Sequence, residues 1–426
     1  TAAVCGEIFT SPPADAVLQA LGEVVGPAGC LVITRNAVGN NLNFVAGVNE
    51  AEKKHGLKVR TLRVADDLAT ARKTSGGSKF DFKGARGMAG LQLVVKVAGA
   101  AAQAGLPLDA VYGEAAALAK VVRTQGVAFS SCSIPGQFNK RPVPEDEMEI
   151  GVGIHGEPGQ LRVKARSSAK EIIDTMVSQL KNVVPEEVPL CAMLNNLGAV
   201  PNLEMAILAA QVMRSEIADR IRLFIGPAHL LTSLDTNGIS LTLAPLDPVR
   251  AERLCAPTSC RFWVPAVAPQ RPSVPPRRAR SGLCFPATHN ALLSVLILRA
   301  CSAIEESEDA LNRLDAQIAN GDCGRNLAHA ARLLRIALPE LPLNDPSPLC
   351  LCISKLLRGA EGALSALWSI LFFEAGKDLG DKSWGDAGLV DSFVQAACAV
   401  AEVADIKDGM RTFMDALNPA LRAASG

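Results

Sequence analysis

One of only five histidines in the 426-residue chain, His155, stands in the run MEIGVGIHGEPG (148–159), among Gly151, Gly153, Gly156 and Gly159. Glycines leave the backbone free to approach a ligand closely. An unprotonated imidazole nitrogen in such a loop is a nucleophile and can add to a carbonyl carbon. An ordinary glycine-rich turn carrying a surface histidine has the same local pattern. A second cluster, Asp315, Asn320 and Asp322, lies in LDAQIANGDCG (314–324). Oxygen ligands from a helix end and the loop after it can meet on one hard cation. Mg²⁺ bridging nucleotide phosphates is the usual use of such clusters. The same residues also fit a plain helix–turn–helix with Asp322 near the second helix's N-terminus, where an acidic residue is favoured anyway.

These residues need elements to position them. Up to about residue 260 strand and helix signals alternate. CLVITRN (30–36), LKVRTLRV (57–64), VPLCAMLNN (188–196), RIRLFIG (220–226) and ISLTLAPLD (239–247) read as strands, and VNEAEKKHG (48–56) and AKEIIDTMVSQLKNV (169–183) as helices. Such alternation predicts an α/β domain with a largely parallel sheet, whose ligands gather on loops at the carboxyl ends of strands. Residues 264–290 hold six prolines and four arginines and read as a solvated, partly extended linker. From 291 to 426 the pattern is helical, with Ile304, Leu311, Leu314 and Ile318 sharing one face. That predicts a separate all-α domain. No internal repeat is present. TSGGSKF (74–80) lacks the spacing of a nucleotide loop and reads as a surface turn.

Lys plus Arg and Asp plus Glu both number 43, so the electrostatic footprint of a nucleic-acid binder is missing. The balance also argues against an anionic membrane surface as partner. The most apolar run, ALLSVLILRACSAI (291–304), is too short to span a bilayer and contains Arg299. None of the twelve cysteines has C-x-x-C spacing, which argues against a zinc site and a secreted disulfide framework. They read mostly as reduced, buried thiols of a cytoplasmic protein, Cys132 as a buried thiol at a strand-to-loop junction. The chain opens on Thr1 with no signal peptide, in what looks like the middle of a fold, so its true start is expected to lie upstream.

DEMEIGVGIHGEPG (146–159) resembles the substrate-histidine motif of the dihydroxyacetone (glycerone) kinases. GEIFTSP (6–12), RNAVGNNLNF (35–44), VADD (64–67), RGMAG (86–90), GVAFSSCSIPG (126–136), LNNLG (194–198) and LLTSLDTNGISLTL (230–243) resemble that family's motifs, in the same order. LDAQIANGDCG resembles its magnesium loop and GMRTFMDAL (409–417) its nucleotide loop. The resemblance covers nearly the whole chain. It implies a dihydroxyacetone-binding α/β domain over 1–263, a linker over 264–290 and an all-α, ATP-binding helical barrel over 291–426. It implies ATP-dependent phosphorylation of dihydroxyacetone or another small ketose or triose such as glyceraldehyde. His155 would form a hemiaminal with the substrate carbonyl and fix the terminal hydroxyl for attack. Asp315, Asn320 and Asp322 would hold Mg²⁺, and Gly324, Gly362 and Arg411 would contact nucleotide. Pairing through the first domain, as a homodimer, is also implied, and some members cleave FAD to a cyclic flavin phosphate.

Several positions depart from that pattern. The family's active-site lysine corresponds to Arg35, which keeps the charge but not the shape or hydration of lysine. The aspartate taken as general base corresponds to Asn40, and an amide cannot accept a hydroxyl proton. Asn40 and Arg35 are therefore expected at the catalytic and substrate-binding positions in altered form. Asn320 stands where the middle metal aspartate is expected, so weaker metal binding is implied. RGAEGALSALW (358–368) replaces the family's glycine–serine phosphate loop, with Leu364 at the serine position and Ser365 beside it. Family motifs before Thr1 and after Gly426 lie outside the sequence. The alternative expectation is a catalytically impaired homologue that retains carbonyl binding or acts as a regulator.

Overall fold

The computed structural model describes residues 2–74, 80–136, 142–144, 146–164, 168–270, 285–380, 382–384, 388–407, 409–410 and 412–425. The chain divides into two compact units, Thr1–Ser273 and Val274–Gly426.

Among the described residues, ten strands and seven α-helices build the first unit. The strands are β1 (Cys30–Arg35), β2 (Val59–Val64), β3 (Arg72–Lys73), β4 (Phe80–Asp81), β5 (Arg123–Ala128), β6 (Glu147–Ile150), β7 (Leu161–Lys164), β8 (Leu190–Asn196), β9 (Ile221–Ala228) and β10 (Gly238–Pro245). The helices are α1 (Ala14–Val24), α2 (Val38–His55), α3 (Gly90–Gln103), α4 (Leu108–Ala119), α5 (Ala169–Leu180), α6 (Asn202–Val212) and α7 (Pro248–Cys255). The main sheet runs β7-β6-β5-β10-β8-β9. Every residue of β8 is buried, because helices cover both faces of the sheet. Leu190, Ala192 and Leu194 of β8 pack with Ile173, Met176 and Leu180 of α5 and with α6. Cys191 and Met193 of the same strand pack on the other face with Leu93 and Val97 of α3 and Leu118 of α4. The period of two in β8 thus serves two cores at once. Ser168 and Glu171 form a reciprocal capping box at the start of α5.

The largely parallel sheet expected from the sequence is not what forms. In the six-stranded sheet only β8 and β9 pair in parallel, and the other four pairings are antiparallel. A parallel neighbour needs a long crossover. The chain supplies one between β8 and β9, through α6, but β9 returns into β10 and β6 into β7 with no helix between them. Parallel pairing reappears between β1 and β2, a two-stranded sheet linked to β5 by a parallel bridge at Asp67 and Thr124.

The second unit holds α8 (Ala291–Glu306), α9 (Glu308–Asp315), α10 (Cys323–Ala337), α11 (Pro346–Leu357), α12 (Ala363–Leu379), α13 (Leu389–Val403) and α14 (Met414–Ser425). Helices α11, α12, α13 and α14 pack in sequence, and α10 packs against α8 and α9. Between them lies an apolar cavity of about 370 Å³ lined by Leu293, Ile297, Leu327, Trp368 and Phe372 among others. Of the helical face read from the sequence, Leu314 and Ile318 are 63% and 90% exposed: the stripe is split between α8, which holds Ile304, and α9, which holds Leu311 and Leu314, and Ile318 lies past the end of α9 at Asp315. Among the described residues no helix is long and apolar enough to cross a membrane.

Both ends of the stretch read as a linker are built into structure. Val267 exchanges backbone hydrogen bonds with Phe224 of β9, at 2.8 and 2.9 Å, and Thr288 donates to the Leu341 carbonyl at 3.2 Å. Residues 271–284 lie outside the described residues, as does most of the TSGGSKF turn. The cysteines also differ from expectation. Of those described as free thiols, Cys191, Cys301 and Cys350 are buried, whereas Cys5, Cys255, Cys260 and Cys398 are exposed and the rest, Cys132 included, are half-buried. Most sit on loops or outer helix faces, where a small apolar side chain needs no cover.

Candidate functional site

His155 occupies the loop between β6 and β7, beyond the carboxyl end of β6. The loop is tied down at both ends. Gly151 N–H donates to the Gly126 carbonyl of β5 at 2.7 Å, and Gln160 N–H donates to the Ile150 carbonyl at 2.9 Å. Gly151 and Gly156 have φ of +81° and +70°, which L side chains rarely adopt. Inside the loop Gly153 N–H donates to the Glu157 carbonyl at 3.0 Å. The buried Ser233 hydroxyl, from the 230–243 motif, donates to the Ile154 carbonyl at 2.6 Å.

Strand β1 delivers Arg35 to the same place. Its Nη2 lies 3.1 Å from Nε2 and 3.3 Å from Nδ1 of His155. Burial lowers the Arg35 guanidinium from its ordinary value, with the Glu157 charge opposing and Arg86 adding. Glu157 holds His155 from the other side. Its Oε2 accepts the His155 backbone N–H at 2.8 Å, and its Oε1 lies 3.4 Å from Nδ1. Burial would raise the Glu157 carboxyl, but the His155 ring and backbone N–H outweigh it and bring the group down to about 2. The Phe9 ring stacks on the imidazole at 4.8 Å; Phe9 itself has φ of +60°.

Behind the loop sits a buried acidic pair that follows β2. Asp67 is 1% exposed and accepts from Arg86 Nε at 2.8 Å, Ala69 N–H at 3.0 Å and Thr70 Oγ1 at 3.1 Å. Arg86 Nη2 also donates to the Gly151 carbonyl at 2.8 Å. The Asp67–Arg86 pair therefore anchors the first residue of the histidine loop. Burial outweighs the Arg86 charge and leaves the Asp67 carboxyl raised. Asp66, fully buried, accepts from Met88 N–H at 2.6 Å and Gly90 N–H at 2.8 Å, and its other contact is the Thr124 hydroxyl. Burial raises it to about 6 against those hydrogen bonds. Gly90 opens α3, so an acidic group there also meets the positive end of a helix. Gly87 lets this segment run beside β1, since an added Cβ would lie 2.5 Å from Arg35 Cγ and 2.6 Å from the Val64 carbonyl.

Of the residues expected at this site, the structure brings Arg35 and His155 together. Asn40 lies half-buried near the start of α2, and no hydrogen bond links it to either. Glu157, Arg86, Asp66, Asp67 and Phe9 carry the rest of the geometry, and the sequence assigned them no role. Their signal is positional: Glu157 stands two residues after the histidine, and the acidic pair directly follows a strand.

In the second unit Asp315 ends α9, and its Oδ2 accepts from the N–H groups of Gly321, Asp322 and Cys323 at 2.9, 3.0 and 3.3 Å. Asp322 stands at the N-cap of α10, and Asn320 is exposed. The three side chains thus share one short loop and offer hard oxygen donors, as Mg²⁺ requires. One Asp315 oxygen is already committed to closing the loop. Among the described residues no three His, Cys, Asp or Glu side chains gather as a metal site. Gly324 is buried where α9 and α10 cross, since an added Cβ would lie 2.1 Å from the Glu308 carbonyl. Gly362 caps α12 with φ of +91° and lies against the Asn326 side chain of α10. The N-termini of α10 and α12 therefore converge beside the acidic loop. Ser365 does not stand in for a loop serine: it is 1% exposed and faces the apolar cavity. Arg411 lies outside the described residues.

Comparison with known proteins follows this division. Residues 1–262 match the Dak1 domain family and residues 317–426 the DAK2 domain family. The chain is 36% identical over 425 residues to a dihydroxyacetone kinase of Citrobacter freundii, covering 99% of this chain and 74% of that protein. It is 31% identical to the human triokinase/FMN cyclase, covering 98% of this chain and 74% of that protein. A D-erythrulose kinase of Mycolicibacterium smegmatis is also 31% identical, over 98% of this chain and 74% of its own length. The crystal structure of the C. freundii kinase superposes with a TM-score of 0.66 at 34% identity, over 98% of this chain and 75% of that one. The same enzyme has been solved with AMP-PNP and Mg²⁺, also at a TM-score of 0.66.

Proposed function

Because the chain belongs to the dihydroxyacetone kinase family, we propose that it transfers a phosphoryl group from ATP to a short ketose held covalently on His155. The observation that carries this reading is the His155 loop, with the imidazole between a guanidinium at 3.1 Å and a carboxylate at 3.4 Å. A covalent hold selects small ketones and aldehydes over glycerol, which has no carbonyl. Dihydroxyacetone is the first candidate, with glyceraldehyde and erythrulose next; the named relatives are a dihydroxyacetone kinase, a triokinase and a D-erythrulose kinase. Binding through the carbonyl carbon leaves a terminal hydroxyl oriented for in-line attack, and positioning of this kind supplies much of the rate in phosphoryl transfer.

Asp315, Asn320 and Asp322 are the residues that would hold Mg²⁺. When bound, the ion neutralises phosphate charge. The converging helix N-termini at Asp322 and Gly362 would receive phosphate oxygens through their free N–H groups. Gly324 and Arg411 complete the proposed nucleotide contacts. A homodimer formed through the first unit and a flavin-cyclising side reaction are part of the same proposal.

Asn40 favours a second reading. An amide there cannot take the hydroxyl proton, so the chain would be a carbonyl-binding homologue with impaired turnover. One experiment separates the two. Native mass spectrometry with dihydroxyacetone reads the adduct, and a coupled assay on the same sample reads ATP turnover. His155→Ala is the control and should abolish the adduct. Adduct with turnover supports the kinase, and adduct without turnover supports the binding protein. Undiminished adduct in His155→Ala would refute both.

A further inference from the structure

We infer that Ser233 is a positioning residue for His155: with Glu157 it grips the Ile154–His155 peptide unit by both of its polar groups and so sets the direction in which the imidazole leaves the main chain. The inference deepens the reading of His155 as the carbonyl-capturing group, and its consequence for capture rests on that reading. A peptide unit is planar, with its carbonyl and its N–H pointing to opposite sides. Ser233 Oγ donates to the Ile154 carbonyl at 2.6 Å, and the His155 N–H donates to Glu157 Oε2 at 2.8 Å. Two bonds to separate anchors hold the plane against rotation. Rotation of this plane would change φ of His155 and swing its side chain. The flanking glycines cannot supply that hold, because Gly153 and Gly156 leave the backbone permissive.

Ser233 is itself fixed and aimed. It is fully buried, and Thr236 Oγ1 donates to its oxygen at 3.2 Å. A hydroxyl has one proton to give, and with Thr236 on the oxygen that proton goes to the Ile154 carbonyl. The Ser233 N–H donates to the Leu197 carbonyl at 2.6 Å, and its own carbonyl accepts from the Thr236 N–H at 3.0 Å. The turn so formed is pressed against the end of β8. Leu234 takes φ of +50° within it, and a Cβ added to Gly198 would lie 1.9 Å from the Leu234 carbonyl. The turn leads into β10, which pairs with β8 in the main sheet. The hydroxyl is therefore presented from the sheet, 79 residues along the chain from the carbonyl it holds. A hydroxyl needed only to satisfy a buried carbonyl would serve at any residue of the histidine loop. This one takes the carbonyl next to the imidazole, and the far end of the same peptide is held by the glutamate beside the ring.

The test compares Ser233→Ala with Ser215→Ala in the whole chain. Ser215 is a like buried serine, whose hydroxyl donates to the Val212 carbonyl at 2.7 Å at the end of α6 rather than in the histidine loop. Two readouts are taken. Native mass spectrometry over a dihydroxyacetone titration gives the strength of the adduct. ¹³C-histidine labelling with ¹H–¹³C NMR follows the His155 ring, assigned by its loss in His155→Ala; the ring lies 4.8 Å from the Phe9 ring, so its signals report its orientation. Ser233→Ala should shift those signals and weaken the adduct roughly tenfold or more, since one hydrogen bond is worth up to about a factor of ten and a misplacement of about 1 Å can cost roughly a hundredfold. Ser215→Ala should do neither. Unmoved His155 signals in Ser233→Ala overturn the inference, as does an adduct of wild-type strength or an equal loss in Ser215→Ala. Moved signals in a protein whose wild type gives no adduct sink the tether reading and leave the positioning role standing. Should Ser233→Ala fail to fold, Ser233→Cys, a weaker donor of similar size, is judged by the same two readouts, with a smaller change in the same direction expected.

Discussion

Replacing Asp67 by Asn tests whether the histidine loop is anchored by a buried ion pair. Asp67 is 1% exposed and Arg86 21% exposed at the side chain, with Nη2 and Oδ2 2.8 Å apart. Breaking a fully buried pair costs roughly 3–5 kcal/mol. Two features reduce that here. Arg86 keeps its hydrogen bond to Gly151 and has some access to water. The Asp67 charge is itself penalised by burial, so removing it recovers part of the loss. Asn also retains an oxygen for the Ala69 N–H. A net cost of about 2 kcal/mol remains, or roughly 4–8 °C in the melting of a unit this size. Calorimetry of the whole chain would follow the transition of the first unit, beside a double-mutant cycle with Arg86→Gln. The coupling between the two sites should exceed the roughly 0.5 kcal/mol scatter of independent positions. A shift under about 2 °C, or additivity within that scatter, would refute the anchoring role.

Two further outcomes follow from burial. The Asp66 carboxyl is raised from 3.8 to about 6 in the fold, so its contribution to stability is full below the unfolded value and is lost as pH rises through the folded one. That shift corresponds to roughly 3 kcal/mol. In urea titrations, wild-type stability relative to Asp66→Asn should fall between about pH 4 and 6 and then level; a flat difference would refute the buried carboxylate. The thiols of Cys191 and Cys350 are pushed up to about 12 by burial, whereas Cys5, Cys255, Cys260 and Cys398 are exposed. Iodoacetamide applied to the native protein near neutral pH should modify the exposed four and spare the other two, as read by peptide mass spectrometry. Early labelling of Cys191 would mean that the β8 core opens.

Five strands of the first unit, β1, β2, β8, β9 and β10, were legible because their apolar runs are short, branched and bounded by turns, whereas β3 to β7, most of them shorter or more polar, were not read from the sequence. The pairing of those strands was not. Alternation of strand and helix signals looks the same whether a helix carries the chain to a parallel neighbour, as α6 does, or crosses to a distant strand, as α5 does between β7 and β8. The direction of a strand is set by where its connection returns, which is a long-range property. Leu314 and Ile318 failed for a local reason. The stripe is broken between α8 and α9 after Glu306, which turns Leu314 to an outer face, and α9 stops at Asp315, whose carboxylate closes the following loop, so Ile318 lies beyond the helix.

The site divides along the same line. His155 announces itself through the glycines that must surround it, whereas Arg35 was picked out only because the family resemblance places it where a lysine is expected. Glu157 has no such signature, because a glutamate in a loop reads as solvated until the ring beside it is placed. The glycines of the second unit show the converse. Gly324 and Gly362 are proposed to contact nucleotide, yet each is already demanded by the fold: one by the Glu308 carbonyl 2.1 Å from where its Cβ would be, the other by a φ of +91°. Close approach of two helices and close approach of a phosphate ask for the same residue. A glycine therefore testifies to a ligand only where no neighbouring backbone explains it. By that standard Asp315 too is accounted for in part, since its Oδ2 closes the loop, and the proposed phosphate end rests on Asn320 and on Asp322, whose side chain makes no capping hydrogen bond to α10.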